Sequence, residues 1–318
     1  MKLNFVLPRL KLFLVLFVSL ILGAAVLAKT SYAQTSPSQT HLEPASYQLN
    51  ALKPKQLADF YHQSLGLSLL DSRTEKNYYR LGTPEGKVLL EIFPAKLEHR
   101  NTTGLYHTAF LFASEKDLMN AYARMMRAGG GRLQGTADHG VSQAIYFADP
   151  EGNGIELYHD KDPNVWPRDT AGNITMGNQP YDISRFLKQA DPAYEAIPNS
   201  GKIGHFHLAV ADIQATRAFY EGLLGFGVTS SENIDSLFMA SGSYHHHLGA
   251  NTWETLGATG PQADQQGLRR VIWHTSDSQD LSLIKDRLKQ AGHPFQDHGQ
   301  QLDLIDNSGI PIQIRLEK

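Results

Sequence analysis

From about residue 44 onward, apolar and polar positions follow a compound rhythm that recurs four times. Each recurrence has a short apolar stretch of period two, a longer stretch of period 3.6, and then short stretches separated by glycine-rich turns. The period-3.6 stretches show the repeat best. LKPKQLADFYHQSLGLSLL (52–70) superposes on VADIQATRAFYEGLLGFGV (210–228), with Phe60-Tyr61 and Leu65-Gly66 falling on Phe219-Tyr220 and Leu224-Gly225. Leu57, Phe60, Tyr61 and Leu65 share one helical face, as do Thr216, Phe219, Tyr220 and Leu223, so both segments read as amphipathic helices. GLYHTAFLFASEKDL pairs in the same way with GLRRVIWHTSDSQDL.

The pattern predicts four βαβββ modules, at 44–96, 104–160, 202–254 and 267–316, with module 1 resembling module 3 and module 2 resembling module 4. Residues 34–43 are a polar linker, and the proline-bearing stretch 161–201 separates a first half, 44–160, from a second, 202–316. A short helix is expected in that stretch near Ile183 to Gln189. A single helix on a small sheet leaves both sheet edges open. The modules therefore have to pair, and paired curved sheets enclose a cup.

Residues 1–33 differ in kind. Lys2, Arg9 and Lys11 precede an apolar run from Leu12 to Ala28, followed by Ser31-Tyr32-Ala33. This is the layout of a secretory signal, or, uncleaved, of an N-terminal membrane anchor. It places the folded part outside the cytoplasm, periplasmic or extracellular. Removing that segment takes away four basic residues and moves the formal charge from −3 to −7, which gives no electrostatic footprint for nucleic acid. With 41% hydrophobic and 19% charged residues the rest has the composition of a globular protein. Cysteine is absent, so disulfides, thiolate ligands and cysteine nucleophiles are excluded.

The chemistry gathers in modules 2 and 3. His107 in GLYHTAFLF and Glu156 in GIELYHD fall mid-strand, with Tyr146 ahead of the carboxylate, and His205 opens the corresponding strand KIGHFHLAVAD, with His207 on the same side. Two imidazoles and a carboxylate form a mixed nitrogen and oxygen donor set, suited to Fe(II) when coordination positions remain open. Taken singly, His107 reads as a hydrogen-bonded core histidine and Glu156 as an outward strand residue; their joint spacing with His205 favours a metal site. Modules 1 and 4 have Ser46, Gln48, Arg270 and Gln313 at the corresponding places. Since metal residues occur only in modules 2 and 3, these two are expected to pair with each other, with His205 within about 7 Å of His107 or Glu156, because metal–ligand bonds of about 2.0 to 2.2 Å limit ligand separation.

The βαβββ repeats, the Phe-Tyr and Leu-Gly pairs and the run YFADPEGNGIELY resemble the vicinal oxygen chelate superfamily of glyoxalases, bleomycin-resistance proteins and extradiol dioxygenases. The nearest resemblance is to bacterial catechol-2,3-dioxygenase-like proteins. It spans nearly all of 44–316 and implies an α+β fold of paired modules and a metal-dependent ring-cleaving dioxygenase that takes a small aromatic diol and O2. The metal implied is Fe(II), with Mn(II), Ni(II) or Zn(II) as alternatives, and a homo-oligomer is compatible. Carried over residue by residue, the resemblance implies metal ligands His107, Glu156 and His205, a substrate-side tyrosine at Tyr146 and an active-site histidine at His139. Module 3 ends in Tyr244-His245-His246-His247. Read as a strand, this places His245 and His247 on one face, so an acid–base role is expected of one of those two, with His246 in reserve. If His247 were instead a fourth ligand, a glyoxalase-like lyase or isomerase would be implied. Non-catalytic binding of a small aromatic is the third reading.

Overall fold

The computed structural model describes residues 40–129, 131–170, 172–230 and 233–317; the expected signal or anchor segment, 1–33, and residues 34–39 of the linker lie outside the described residues. Module 1 comprises β1 (Glu43–Ala51), α1 (Pro54–Phe60), β2 (Ser68–Arg73), β3 (Tyr78–Gly82) and β4 (Val88–Pro94). Module 2 comprises β5 (Gly104–Phe112), α2 (Glu115–Ala128), β6 (Arg132–Asp138), β7 (Ser142–Ala148) and β8 (Gly154–Asp160). The short α3 (Phe186–Gln189) follows in the connecting stretch. Module 3 comprises β9 (Lys202–Ala209), α4 (Ile213–Gly222), β10 (Gly227–Ser230), β11 (Ser236–Ala240) and β12 (Leu248–Asn251). Module 4 comprises β13 (Gly267–Thr275), α5 (Ser278–Gln290), β14 (Phe295–Asp297), β15 (Gln301–Ile305) and β16 (Pro311–Leu316). The βαβββ order therefore recurs four times.

Local chemistry explains several of these boundaries. Pro54 opens α1, where its missing N–H has no helical partner to lose. Ser114 caps α2 by accepting from Asp117 N, and Asp212 caps α4 by accepting from Ala215 N. The repeated Leu-Gly closes the first helix of modules 1 and 3, where Gly66 and Gly225 have φ of 89° and 80°. That left-handed backbone turns the chain off the helix, and a side chain would strain it.

Two eight-stranded sheets result, ordered β14-β15-β16-β13-β1-β4-β3-β2 and β10-β11-β12-β9-β5-β8-β7-β6. Module 1 thus joins module 4 through the antiparallel pair β1·β13, and module 2 joins module 3 through β5·β9. This is the pairing that the positions of the metal-type residues predicted. A division into 44–160 and 202–316 follows the chain but not the sheets, because each half contributes one module to each sheet.

The halves are still tied internally, by the repeated Phe-Tyr pair. Tyr61 donates to Asp149 Oδ2 at 3.0 Å and Tyr220 to Asp306 Oδ2 at 3.1 Å. Each aspartate also takes backbone N–H groups in its own turn: Glu151 and Asn153 at Asp149, Ser308 and Ile310 at Asp306. The helix of module 1 is thereby fastened to the β7–β8 turn of module 2, and that of module 3 to the β15–β16 turn of module 4.

Between the sheets, Tyr47 of β1 packs edge-on against Phe110 of β5 and Phe206 of β9, and Phe206 packs against Trp273 of β13. Central strands of both sheets thus share one core. Alternation then fixes the opposite face of each sheet, its cup. On β5, Phe110 and Phe112 enter the core while His107 and Ala109 face the cup, and on β8, Ile155 and Leu157 enter the core while Glu156 and Tyr158 face away from it.

Candidate metal centre

Strand register brings the three metal-type residues together. In the antiparallel β5·β9 pair, Ala109 stands opposite His205 and His107 opposite His207; in the parallel β5·β8 pair, Ala109 stands beside Glu156. Ala109 is the small residue around which His107, Glu156 and His205 converge, and one ligand atom from each lies within 4.8 Å of the others. All three side chains are buried.

The finer geometry is that of ligands sharing a centre. His205 Nε2 lies 3.1 Å from Glu156 Oε2, and His107 Nε2 lies 3.0 Å from the same oxygen. Bonds of about 2.0 to 2.2 Å at right angles about one ion put neighbouring donors about 3 Å apart. His107 Nε2 approaches the carboxylate off hydrogen-bonding geometry and has no hydrogen-bond partner among the described residues, although it is buried. A buried ring nitrogen left without a partner is costly, and a cation between it and the carboxylate removes the cost.

The electrostatics agree. Burial alone would raise the Glu156 carboxyl, but His205 and His107 hold it well below the usual carboxylate range. Burial lowers His205 despite the neighbouring carboxylate. An ionised carboxylate beside neutral imidazole is the protonation state a divalent ion requires.

Tyr146 stands beside this set, and His139 stands beside Tyr146. Tyr146 lies directly across from Glu156 in the β7·β8 pair, and its ring centroid is 5.7 Å from that of His107. Its hydroxyl is 2.7 Å from His139 Nε2, while His139 Nδ1 is 2.7 Å from the Gly177 carbonyl. A carbonyl only accepts, so in neutral His139 the proton is on Nδ1 and Nε2 accepts from Tyr146. Burial, followed by the Glu156 charge, pushes the Tyr146 hydroxyl well above its ordinary range, which keeps it a neutral hydrogen-bonding group.

A family model, the Glyoxalase/Bleomycin resistance protein/Dioxygenase superfamily, matches residues 21–157 and 202–301. The chain belongs to that superfamily. Among its relatives, a catechol-2,3-dioxygenase of Bacillus subtilis (strain 168) is 34% identical over 265 residues, covering 81% of this chain and 90% of that protein. Glyoxalase I from Zea mays has a TM-score of 0.52 at 14% identity, covering 86% of this chain and 92% of its own. The cppA protein of Streptococcus pneumoniae TIGR4 has a TM-score of 0.54 at 14% identity, covering 87% and 99%. The two structural likenesses concern the fold alone.

Within this superfamily architecture, the histidine run of module 3 departs from the strand reading. Residues 241–247 form turns and bends, and β12 begins only at Leu248. Face alternation therefore does not govern His245, His246 and His247. His245 Nε2 lies 2.8 Å from Asp160 Oδ1. His247 Nδ1 accepts from Ser241 N at 3.2 Å, and its ring stacks on Tyr244. His246 is the one whose ring lies against a metal-type residue, with centroids 4.2 Å from His205. The residue held in reserve is thus the one of the three whose ring packs against His205.

Other cup residues were less visible in the sequence. His207 is buried, with its ring 4.8 Å from that of His107 and its Nε2 accepting from Asn251 Nδ2 at 3.0 Å. Its i+2 spacing from His205 was the signal. It occupies the space left by Gly249, where a Cβ would stand 2.8 Å from His207 Nδ1. Tyr106 and Trp253, both half-exposed, meet edge-on 5.1 Å apart beside His207. They give the cup an aromatic rim, and nothing in the local pattern marks Trp253 for it.

Proposed function

We propose that the chain is an extradiol ring-cleaving dioxygenase of the catechol 2,3-dioxygenase type, acting on a catechol-like aromatic diol with O2 and with Fe(II) held by His107, Glu156 and His205. The observation that carries the reading is the convergence of two imidazole nitrogens on one buried carboxylate oxygen, one of those nitrogens lacking a hydrogen-bond partner among the described residues. The 34%-identical Bacillus subtilis catechol-2,3-dioxygenase supports the reaction type. A divalent ion at this site supplies Lewis acidity that lowers the pKa of a coordinating hydroxyl.

The chain's own residues do the rest. Tyr106, Trp253 and His207 offer aromatic surface to a flat ring. Tyr146, held by His139, hydrogen-bonds at the substrate side. His246 takes a proton from the diol and later returns it, a step suited to a neutral imidazole. The isomerase reading needs a fourth ligand from His247, and the Ser241 N–H and the Tyr244 stack engage that residue elsewhere. The apolar run preceded by basic residues supports export, with the fold lying outside the cytoplasm and the membrane touched only if that segment is retained.

Anaerobic reconstitution with Fe(II), followed by oxygen and catechol, tests the reading. Oxygen uptake and a yellow ring-opened product are expected, and both vanish with the iron in His107→Ala and Glu156→Ala. A wild-type chain that holds iron yet consumes no oxygen with any catechol would overturn it in favour of an isomerase or a binder.

A further inference from the structure

His245 and His246 hold their Nδ1 atoms 2.8 Å apart, and His245 Nε2 is 2.8 Å from Asp160 Oδ1. A carboxylate only accepts, so His245 carries its proton on Nε2. A neutral His245 then has a bare Nδ1, and the short contact can form only with a proton supplied by His246 Nδ1. This leaves His246 Nε2 unprotonated and without a hydrogen bond among the described residues, beside the ring of His205.

The support behind this pair is ordered in the same direction. Tyr244 donates to the second oxygen of Asp160 at 2.8 Å, which leaves the Tyr244 oxygen to accept from Tyr158 at 2.9 Å. Tyr158 in turn occupies space that only glycine leaves at Gly204, where a Cβ would fall 1.7 Å from its hydroxyl. His245 is fully buried under Trp166, with ring centroids 5.2 Å apart. The arrangement follows the logic by which a hydrogen-bonded carboxylate fixes the tautomer of a histidine, here from a part-buried Asp160 and relayed through a second ring.

We propose that Asp160 and His245 are positioning residues that lock His246 in its Nδ1–H tautomer, so that a bare Nε2 is presented to the substrate cavity. The proposal deepens the ring-cleaving reading and rests on it for the role of His246. The tautomer itself can be measured without turnover.

The test is nitrogen NMR of the metal-free full chain labelled with 15N-histidine, the His246 signals being assigned by their loss in His246→Gln. Wild type is expected to show a protonated Nδ1 and an unprotonated Nε2 at His246. His245→Phe, which fits among Trp166 and Tyr244 but cannot accept, should shift His246 toward the Nε2–H form and lower kcat roughly 100-fold, the lower end of a general base's contribution, with KM little changed. His245→Gln, whose amide oxygen can accept from Nδ1–H, should recover much of both. A wild-type His246 protonated on Nε2, or a tautomer unmoved in His245→Phe, would overturn the proposal, as would a shifted tautomer with unaltered kcat. Absence of turnover in a wild type with the expected tautomer would instead count against the ring-cleaving reading.

Discussion

The two sheets are built from the same module used twice, yet their cups hold opposite solutions to an inward carboxylate, part-buried at Glu91 and Asp303 and buried at Glu156. In the sheet of modules 1 and 4, Glu91 stands beside Gln48 in register and accepts from Gln48 Nε2 at 2.8 Å and from the Tyr78 hydroxyl at 2.5 Å, with Arg80 Nε 3.6 Å away. Across the same cup, Asp303 accepts from Gln301 and Gln313 and faces Arg270 at 3.7 Å. The amide, phenol and guanidinium groups there bring their own protons, and the one imidazole near them, His298 Nε2, stays 3.8 Å from Asp303. In the sheet of modules 2 and 3, Glu156 instead faces two imidazoles that can present bare nitrogens. Surrounding a carboxylate with amide, phenol and guanidinium donors neutralises it within the protein, whereas surrounding it with neutral imidazole leaves charge for a cation.

The largest expected effect follows from that contrast. Replacing His107 or Glu156 with alanine should weaken divalent-metal binding by more than about 100-fold, beyond what loss of a supporting residue costs, while Gln48→Ala in the other cup should leave it unchanged. Calorimetric metal titration of the four proteins measures this. Equal losses in both cups would erase the distinction.

The contrast should also appear in acid. Burial depresses His247 from its usual value to about 4. Unfolded, that imidazole binds a proton below about 6.5, so between pH 6.5 and 4 the unfolded state holds more protons and stability falls as pH drops. The full effect is about 3 kcal/mol. Burial raises Asp306, in the β15–β16 turn, to about 6, and this acts in the opposite sense over the same window. Urea unfolding of wild type minus His247→Gln, at pH 7 and pH 4.5, isolates the histidine. A difference independent of pH would show that His247 is not held neutral by its surroundings.

Smaller effects sharpen the picture. Glu91→Ala should cost about 1–3 kcal/mol of stability by leaving Gln48 and Tyr78 without an acceptor, visible as a lowered Tm, with metal stoichiometry untouched. Tyr146→Phe removes one hydroxyl and no ligand, so it should lower kcat by about tenfold, worth 1.4 kcal/mol, and leave metal affinity as it was.

The sequence made the modules readable because each element announced its own period, and Phe-Tyr with Leu-Gly marked equivalent places in modules 1 and 3. The convergence of the candidate ligands was readable for the same reason: His107, Glu156 and His205 lie on regular strands, where alternation and register translate spacing into position. The histidine run was not. It lies in turns before β12, where period two carries no information, and which ring enters the cup is decided by contacts with Asp160, Ser241 and His205. Asp160 is 85 residues from His245, so nothing local in the chain could have joined them. Trp253 reaches the rim in the same way, through tertiary packing against Tyr106 and His207.

The central claim is that ligands from two different modules meet at one ion, and His205 is the module 3 contribution. Metal content after anaerobic Fe(II) loading and desalting, compared between wild type and His205→Ala, tests it most directly. One ion per chain in wild type and essentially none in the variant is the predicted result. A variant that retains a full equivalent of iron would contradict it, because modules 2 and 3 would then have no shared site.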